Sequence, residues 1–449
     1  MEPWQLGAAE AAVLIRKKEL SPVELADSCL ERVAVLDPEL RAWVTVDLDG
    51  ARLAAAALRE RLATGDPPGP LGGVPVGVKD VIDVDGLPTT ASSRVLADAA
   101  PAGQDAHCVA LLRQAGATIL GKLHTAEFAC ADPPPTRNPW NPEHTPGGSS
   151  SGSAVAVAAG MAATALGTQT GGSTLRPASY NGVVGVKPSY GMISNRGVIP
   201  VAWSLDHVGV IARSVADAAL VLAGLAGYDP LDPSSAREAD GYLAPEAAGP
   251  PPTIGLIRSF FLERCEPEVL HDTLGVAERL AAAGAQVREI FLPPSFAAVA
   301  PDPALILRTE MHAYHRDQFA RHRDKYGPLN TAMLDAGGQI SAADYIRAVR
   351  NRPRLTADLE QALAGVDIAL TPGTPAPAPR NTTTTGDASF QALWTYAGLP
   401  AVALPTGVNQ WGIPRGIQLV GHRWQDAALL RHALWCESVI GFTERPPCW

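Results

Sequence analysis

The segment SAVAVAAGMAATALG, Ser153 to Gly167, consists of small residues that are apolar on every side. Read as a helix it has no polar face to turn to water, so it is buried all round and needs structure on each side of it. A chain of 449 residues with 46% hydrophobic and 18% charged side chains can supply that cover. Such a composition excludes disorder as the overall state. The low-charge stretch around the segment also holds Thr, Gln and several glycines. Its apolar part is too short and too weakly hydrophobic to span a bilayer.

The chain before it alternates helix and strand signals. SPVELADSCLERVAVL opens with Ser21, which can cap, and Pro22 at the next position, followed by Val23, Leu25, Ala26, Leu30, Val33, Ala34 and Leu36 at helical spacing. ARLAAAALRERLATG is a second helix that stops at Gly65. LGGVPVGVKDVIDVDGLPTT breaks short β-branched pieces with glycine, the pattern of a strand buried within an α/β protein. AHCVALLRQAGATILGKLH repeats a helix, a turn at Ala115-Gly116 and a strand. This alternation predicts an α/β fold, a sheet with helices on its faces.

From Phe128 to Pro146 six prolines fall within nineteen residues, which excludes regular structure there. APEAAGPPP, Ala244 to Pro252, is a boundary candidate, and TIGLI resumes as a strand. Charge and helical periodicity rise over about Pro267 to Ala364, which reads as a helical excursion over the core. VDIALTPGTPAPAP and LPAVALPTGVN return to short strands.

With 36 basic and 46 acidic residues the net charge is −10, leaving phosphate backbones nothing general to hold. Nucleic acid is therefore not an expected direct partner. Cys29, Cys108, Cys130, Cys265, Cys436 and Cys448 form no C-x-x-C pair and read as reduced thiols of a cytoplasmic protein. The N-terminal MEPWQLGAAEAAVLIRKKELSPVEL places its basic residues after the apolar run, the wrong order for a secretory signal, and reads as an amphipathic helix. The expectation is a soluble protein without a membrane segment.

Gly-Gly-Ser occurs at Gly147-Gly148-Ser149 and again, 24 residues on, at Gly171-Gly172-Ser173. A flexible linker does not fit, because each copy adjoins an apolar segment. A phosphate loop would need Gly-Lys-Ser/Thr, and no Lys lies between Lys122 and Lys187. Gly148 to Gly152 also matches G-x-S-x-G, with Ser150 as an elbow nucleophile and Asp367 and His422 or His432 following in order. That elbow needs a strand where Pro139, Pro142 and Pro146 stand.

The remaining reading joins the two copies in one site. Ser149 precedes a buried helix whose first N–H groups lack intrahelical partners, and the N–H groups near Gly171-Gly172 can converge on one point, as a tetrahedral oxyanion requires. No histidine adjoins either copy. Lys79 ends the apolar strand VPVGVK, where desolvation lowers the pKa of an amine and lets it act as a base. Taken singly, each residue has a plainer role: a solvated charge for Lys79, a helix cap for Ser149, a turn residue for Ser173.

GVKDVID and PGGSSSGSAVAVAAGMAATALGTQTGGSTLRPASYNGVVGVKPS together resemble the amidase signature family of Ser-cisSer-Lys hydrolases. LSPVELADSCLERV, ILGKLHTAEFA, DIALTPGTPAPAP, YAGLPAVALPTG and GIPRGIQLVG follow in family order, so the resemblance covers nearly the whole chain as one domain, 1–449. It implies a single large mixed sheet flanked by helices, with no metal or cofactor. Ser173 would be the nucleophile, Ser149 the bridging serine after a cis Gly148–Ser149 peptide, supported in part by Ser150 and Ser151, and Lys79 the base. The oxyanion hole would be Thr170, Gly171, Gly172 and Ser173. The implied substrate is a small amide, with carbamates (urethanes) and aryl esters as extensions, and a homodimer is a reasonable expectation. The alternative is a glutaminase subunit passing ammonia to a partner in transamidation of misacylated tRNA. A third class is a silent scaffold that no serine-directed probe would label.

Many family members carry Asp where this chain has Gln169, and those of the glutaminase kind usually do. For Arg176 two roles stay open: pairing with a substrate carboxylate or carbonyl, or bonding backbone carbonyls below the site. The pocket walls, expected from Phe128 to Asp132 and from about Phe260 to Tyr345, hold His312, Tyr314 and His315 without assigned roles.

Overall fold

The computed structural model describes residues 2–245 and 247–449. Ser21 caps α2 by accepting the N–H of Val23, and Pro22 sits in its first turn, as the sequence predicts. The elements run α1 (Ala8–Arg16), α2 (Pro22–Leu40), β1 (Trp43–Val46), α3 (Leu48–Thr64), β2 (Pro75–Lys79), α4 (His107–Gln114), β3 (Thr118–Leu123), α5 (Ser151–Ala158) and β4 (Thr164–Gln169). There follow α6 (Leu175–Asn181), β5 (Val184–Lys187), β6 (His207–Ala212), α7 (Val215–Ala223), β7 (Thr253–Ile257), α8 (Pro267–Ala282) and β8 (Gln286–Ile290). The chain continues through α9 (Pro294–Ala298), α10 (Asp302–His322), α11 (Pro328–Gly337), α12 (Ala342–Leu363), β9 (Ile368–Pro372), α13 (Ser389–Ala397), β10 (Ala401–Val408), β11 (Pro414–Val420) and α14 (Asp426–Ile440).

Eleven strands among the described residues form one mixed sheet in the order β1-β3-β2-β4-β6-β5-β10-β11-β9-β7-β8. β2 lies parallel between β3 and β4, and β4 runs antiparallel to β6. Alternate residues of a strand face opposite sides, and the packing follows that period. On β10, Val402 and Leu404 join one core while Ala401 and Ala403 join the other. Helices α7, α8 and α14 cover the first core, and α2, α5 and α13 the second.

Three expectations are corrected. The apolar run from Ser153 is not one helix: α5 ends at Ala158, Gly160 turns the chain at φ 70°, and the remainder becomes the central strand β4. A strand buried on both faces and a buried helix give the same unbroken apolar signal, so periodicity does not separate them. Nor is the excursion wholly helical, since β8 lies inside it and extends the sheet beside β7. The boundary candidate at Ala244 to Pro252 does not divide two sheets, because β7, which follows it, joins the same eleven-stranded sheet beside β9. Among the described residues no helix is long and apolar enough to cross a membrane.

Candidate active site

Three elements of the fold bring the two Gly-Gly-Ser segments together with Lys79. β2 ends at Lys79, β4 delivers the second Gly-Gly-Ser from its C-terminal end, and α5 begins just beyond the first. Lys79 is 0% exposed, and its Nζ lies 2.7 Å from Ser149 Oγ and 2.7 Å from Thr168 Oγ1. Burial pushes its amine well below the ordinary lysine range, an effect that Asp206 opposes and Arg176 reinforces. In its neutral form an amine so placed can accept the proton of the Ser149 hydroxyl.

The Gly148–Ser149 peptide is cis. Ser151 Oγ donates to the Gly147 carbonyl at 2.7 Å, and Ser150 Oγ both donates to the Thr168 carbonyl and accepts the Thr168 N–H, at 3.2 Å each. The Ser150 N–H donates to the Ser173 carbonyl at 3.1 Å, which ties the two segments together. Gly147 stands at φ 75°, and a Cβ there would fall 2.9 Å from the Pro177 backbone, so this position excludes any larger residue.

Ser173 is 8% exposed, and its Oγ makes no hydrogen bond among the described residues. The N–H groups of Gly171, Gly172 and Ser173 likewise meet no protein acceptor among the described residues. Three consecutive donors beside a free hydroxyl leave an open place for an anionic oxygen. A Cβ at Gly172 would come 2.5 Å from Gln391 Oε1, so a larger residue there would displace that buried side chain.

The turn is held from below. Gln169 Oε1 accepts the N–H groups of Thr174 and Leu175 at 2.9 and 3.0 Å, capping the start of α6, while its Nε2 donates to Thr395 Oγ1 at 2.9 Å. Thr395 Oγ1 in turn donates to the Gly171 carbonyl at 2.7 Å. The Gln169 departure is thus answered inside the scaffold. Of the two roles open to Arg176, the geometry favours the structural one: its guanidinium donates to the carbonyls of Gly148 at 2.6 Å and Gly386 at 3.0 Å and to Thr385 Oγ1 at 3.2 Å. It grips the carbonyl of the peptide that bears Ser149.

The elbow reading of Ser150 does not hold. Ser150 Oγ bonds only Thr168 among the described residues, with neither His422 nor His432 as a partner, while Asp367 accepts the Thr253 N–H and His422 faces the Val366 carbonyl. Of the expected wall residues, Phe128 packs edge-on against His315 and stacks on Tyr326, and Cys130 Sγ lies 3.6 Å from the sulfurs of Met311 and Met333. His312 Nδ1 faces the Leu334 carbonyl.

Sequence reasoning missed Thr168, the second partner of Lys79, and the Asp80–Lys122 pair, 2.9 Å apart and fully buried, that anchors the residue after Lys79. It also missed Asp206, whose carboxylate accepts the Thr170 hydroxyl at 2.5 Å and which burial pushes up to about 7. These are pairings across elements, for which a single sequence carries no spacing signal.

Comparison with known proteins places the chain among relatives with the same extent. The Amidase family model matches residues 24–430. A glutamyl-tRNA(Gln) amidotransferase subunit of Roseiflexus castenholzii is 38% identical over 470 residues, covering 95% of this chain and 94% of the relative. Native peptide amidase from Stenotrophomonas maltophilia superposes with a TM-score of 0.85 at 31% identity, covering 98% of each chain. A protein solved in work on a vestigial complex and the evolutionary origins of an s-triazine catabolic enzyme superposes with a TM-score of 0.90 at 29% identity, covering 98% of this chain and 100% of that one.

Proposed function

The chain belongs to the Amidase family, and we propose that it cleaves a carboxamide by acyl transfer to Ser173, with Ser149 and Lys79 as the proton relay. The observation that carries this reading is the 2.7 Å approach of Lys79 Nζ to Ser149 Oγ beside the unpartnered N–H groups around Ser173. Neutral Lys79 accepts the Ser149 proton, Ser149 accepts that of Ser173, and Ser173 Oγ attacks the substrate carbonyl. No hydrogen bond joins Ser149 Oγ to Ser173 Oγ among the described residues, so this step requires the two hydroxyls to close up when substrate binds, as catalytic hydrogen bonds commonly do. The N–H groups of Thr170, Gly171, Gly172 and Ser173 hold the oxyanion. The relay then runs backwards: Ser149 protonates the leaving nitrogen, the C–N bond breaks, and water releases the acyl group from Ser173.

Two identities of the amide follow from the relatives. The first is glutamine, with ammonia passed to a partner protein, supported by 38% identity over 95% of the chain to a protein named for amidotransferase activity on glutamyl-tRNA(Gln). The Gln169 departure leaves this site intact, because that side chain is committed to capping α6 and to Thr395. The second is hydrolysis of small or peptide amides by the chain alone, supported by the 31% identity and shared fold with peptide amidase. Ammonia release by the purified protein from glutamine, set against its rates of hydrolysis of aryl amides, peptide amides, carbamates and aryl esters, each read by its own leaving group, separates them. The first reading expects glutamine to lead; activity confined to the other amides overturns it in favour of the second.

Arg176 acts in this account as a positioning residue for the Gly148–Ser149 peptide. Arg176→Ala is therefore expected to lower turnover of acidic and neutral amides by the same factor. A loss confined to acidic amides would return Arg176 to the substrate pocket.

A further inference from the structure

The oxyanion turn contains two adjacent glycines, which leave its backbone more freedom than any other residues would. Donors that must point at one place need that freedom removed. On one side Thr395 holds the Gly171 carbonyl at 2.7 Å. On the other stands a carboxylate that the mechanism above does not use. Asp206 Oδ1 accepts the Thr170 hydroxyl at 2.5 Å, and Oδ2 accepts the N–H groups of Val201 and Ala202 at 2.9 and 3.1 Å. Asp206 is buried, forms no ion pair among the described residues, and borders a cleft of about 460 Å³ together with Tyr190, Trp203 and Ser204.

Two residues before Asp206, the chain is gripped by the helical excursion. Glu310 of α10 accepts the Ser204 N–H at 3.0 Å and the Ser204 hydroxyl at 2.6 Å, and Tyr345 of α12 donates to the same carboxylate at 2.8 Å. Arg352 of α12 donates to the Ser204 carbonyl and lies over the Tyr190 ring, 4.6 Å from its centre. All the polar backbone groups of Ser204 and its hydroxyl are thereby committed to α10 and α12. Hydrogen bonds from these helices fix Ser204, the backbone carries that constraint through Leu205 to Asp206, and Asp206 bonds Thr170, the first residue of the turn.

We propose that Asp206 is a positioning residue for catalysis: through the Thr170 hydroxyl it aligns the N–H groups of residues 170–173, and Glu310 and Arg352 couple α10 and α12 to that alignment through Ser204. The proposal rests on the reading of this turn as the oxyanion hole. Thr170 contributes its backbone to the hole and its side chain to the anchor, so the two contributions separate by substitution. Thr170→Val keeps the shape and removes the hydroxyl, whereas Thr170→Ser keeps the hydroxyl.

The test is phosphonylation of Ser173 by a fluorophosphonate probe, read as kinact and KI, with the unfolding temperature measured in parallel. Thr170→Val is expected to lower kinact by about 10- to 100-fold with KI and unfolding temperature little changed, part of the cost of losing one oxyanion donor outright. Thr170→Ser is expected to restore kinact to within about threefold of the wild type. Asp206→Asn combined with Thr170→Val is expected to lose no more than the larger single loss, because both act through one hydrogen bond. The proposal is overturned if Thr170→Val leaves kinact unchanged, if Thr170→Ser falls as far as Thr170→Val, or if the two losses multiply. Should Asp206→Asn fail to fold, the Thr170 pair decides alone. A wild-type protein that is not labelled at Ser173 would overturn the acyl-enzyme reading itself, a result distinct from each of these.

Discussion

Lys79→Met is expected to lower kcat/KM by about 10⁴-fold and to erase the acid limb of the pH profile. The base must be neutral to accept a proton, and burial holds the Lys79 amine well below the ordinary lysine range. Wild-type activity is therefore retained above that depressed pKa and lost as pH falls through it. Methionine matches the volume without the titrating group, so the residual rate should run flat across the same window. The variant should fold, because it removes a desolvated amine and puts apolar atoms in its place; Thr168 Oγ1 loses one partner in exchange. Measurement of kcat/KM against pH for both proteins checks this. A variant within about tenfold of wild type, or a wild-type profile whose acid limb persists unchanged in the variant, contradicts the role of Lys79.

Ser173→Ala is expected to have an effect at least as large, abolishing both turnover and labelling by a serine-directed phosphonylating probe, a loss of about 10⁴-fold or more. Its structural cost should be slight, since Ser173 Oγ bonds to no protein group among the described residues and the Ser173 carbonyl still accepts the Ser150 N–H. Unchanged unfolding temperature together with lost activity separates this variant from one that has merely misfolded. Labelling that survives in Ser173→Ala would show that another serine reacts.

Much of this was legible in the residues. Ser21 and Pro22 state where α2 begins, and Gly65 states where α3 ends, because capping and the left-handed turn are local properties. Lys79 at the end of an apolar strand states its own burial. What was not legible lies in contacts between elements. Whether Thr164 to Gln169 is helix or strand depends on β2 and β6 lying to either side, and nothing within the segment encodes that. Thr168, Asp206 and Asp80 gain their roles from partners 89, 36 and 42 positions away, set by sheet order rather than spacing. Arg176 shows the same limit from the other side: its place in the signature left two roles open, and only the fold reveals the Gly148 carbonyl that favours the structural one.

The central claim, that Ser173 carries the acyl group, is tested most directly by trapping the wild-type protein with a slowly hydrolysed aryl carbamate and mapping the adduct by peptide mass spectrometry. The account predicts one carbamoyl group on Ser173, lost with time as water regenerates the enzyme. An adduct on Ser149 or Ser150, or turnover of the carbamate with no covalent species at any time, would contradict it.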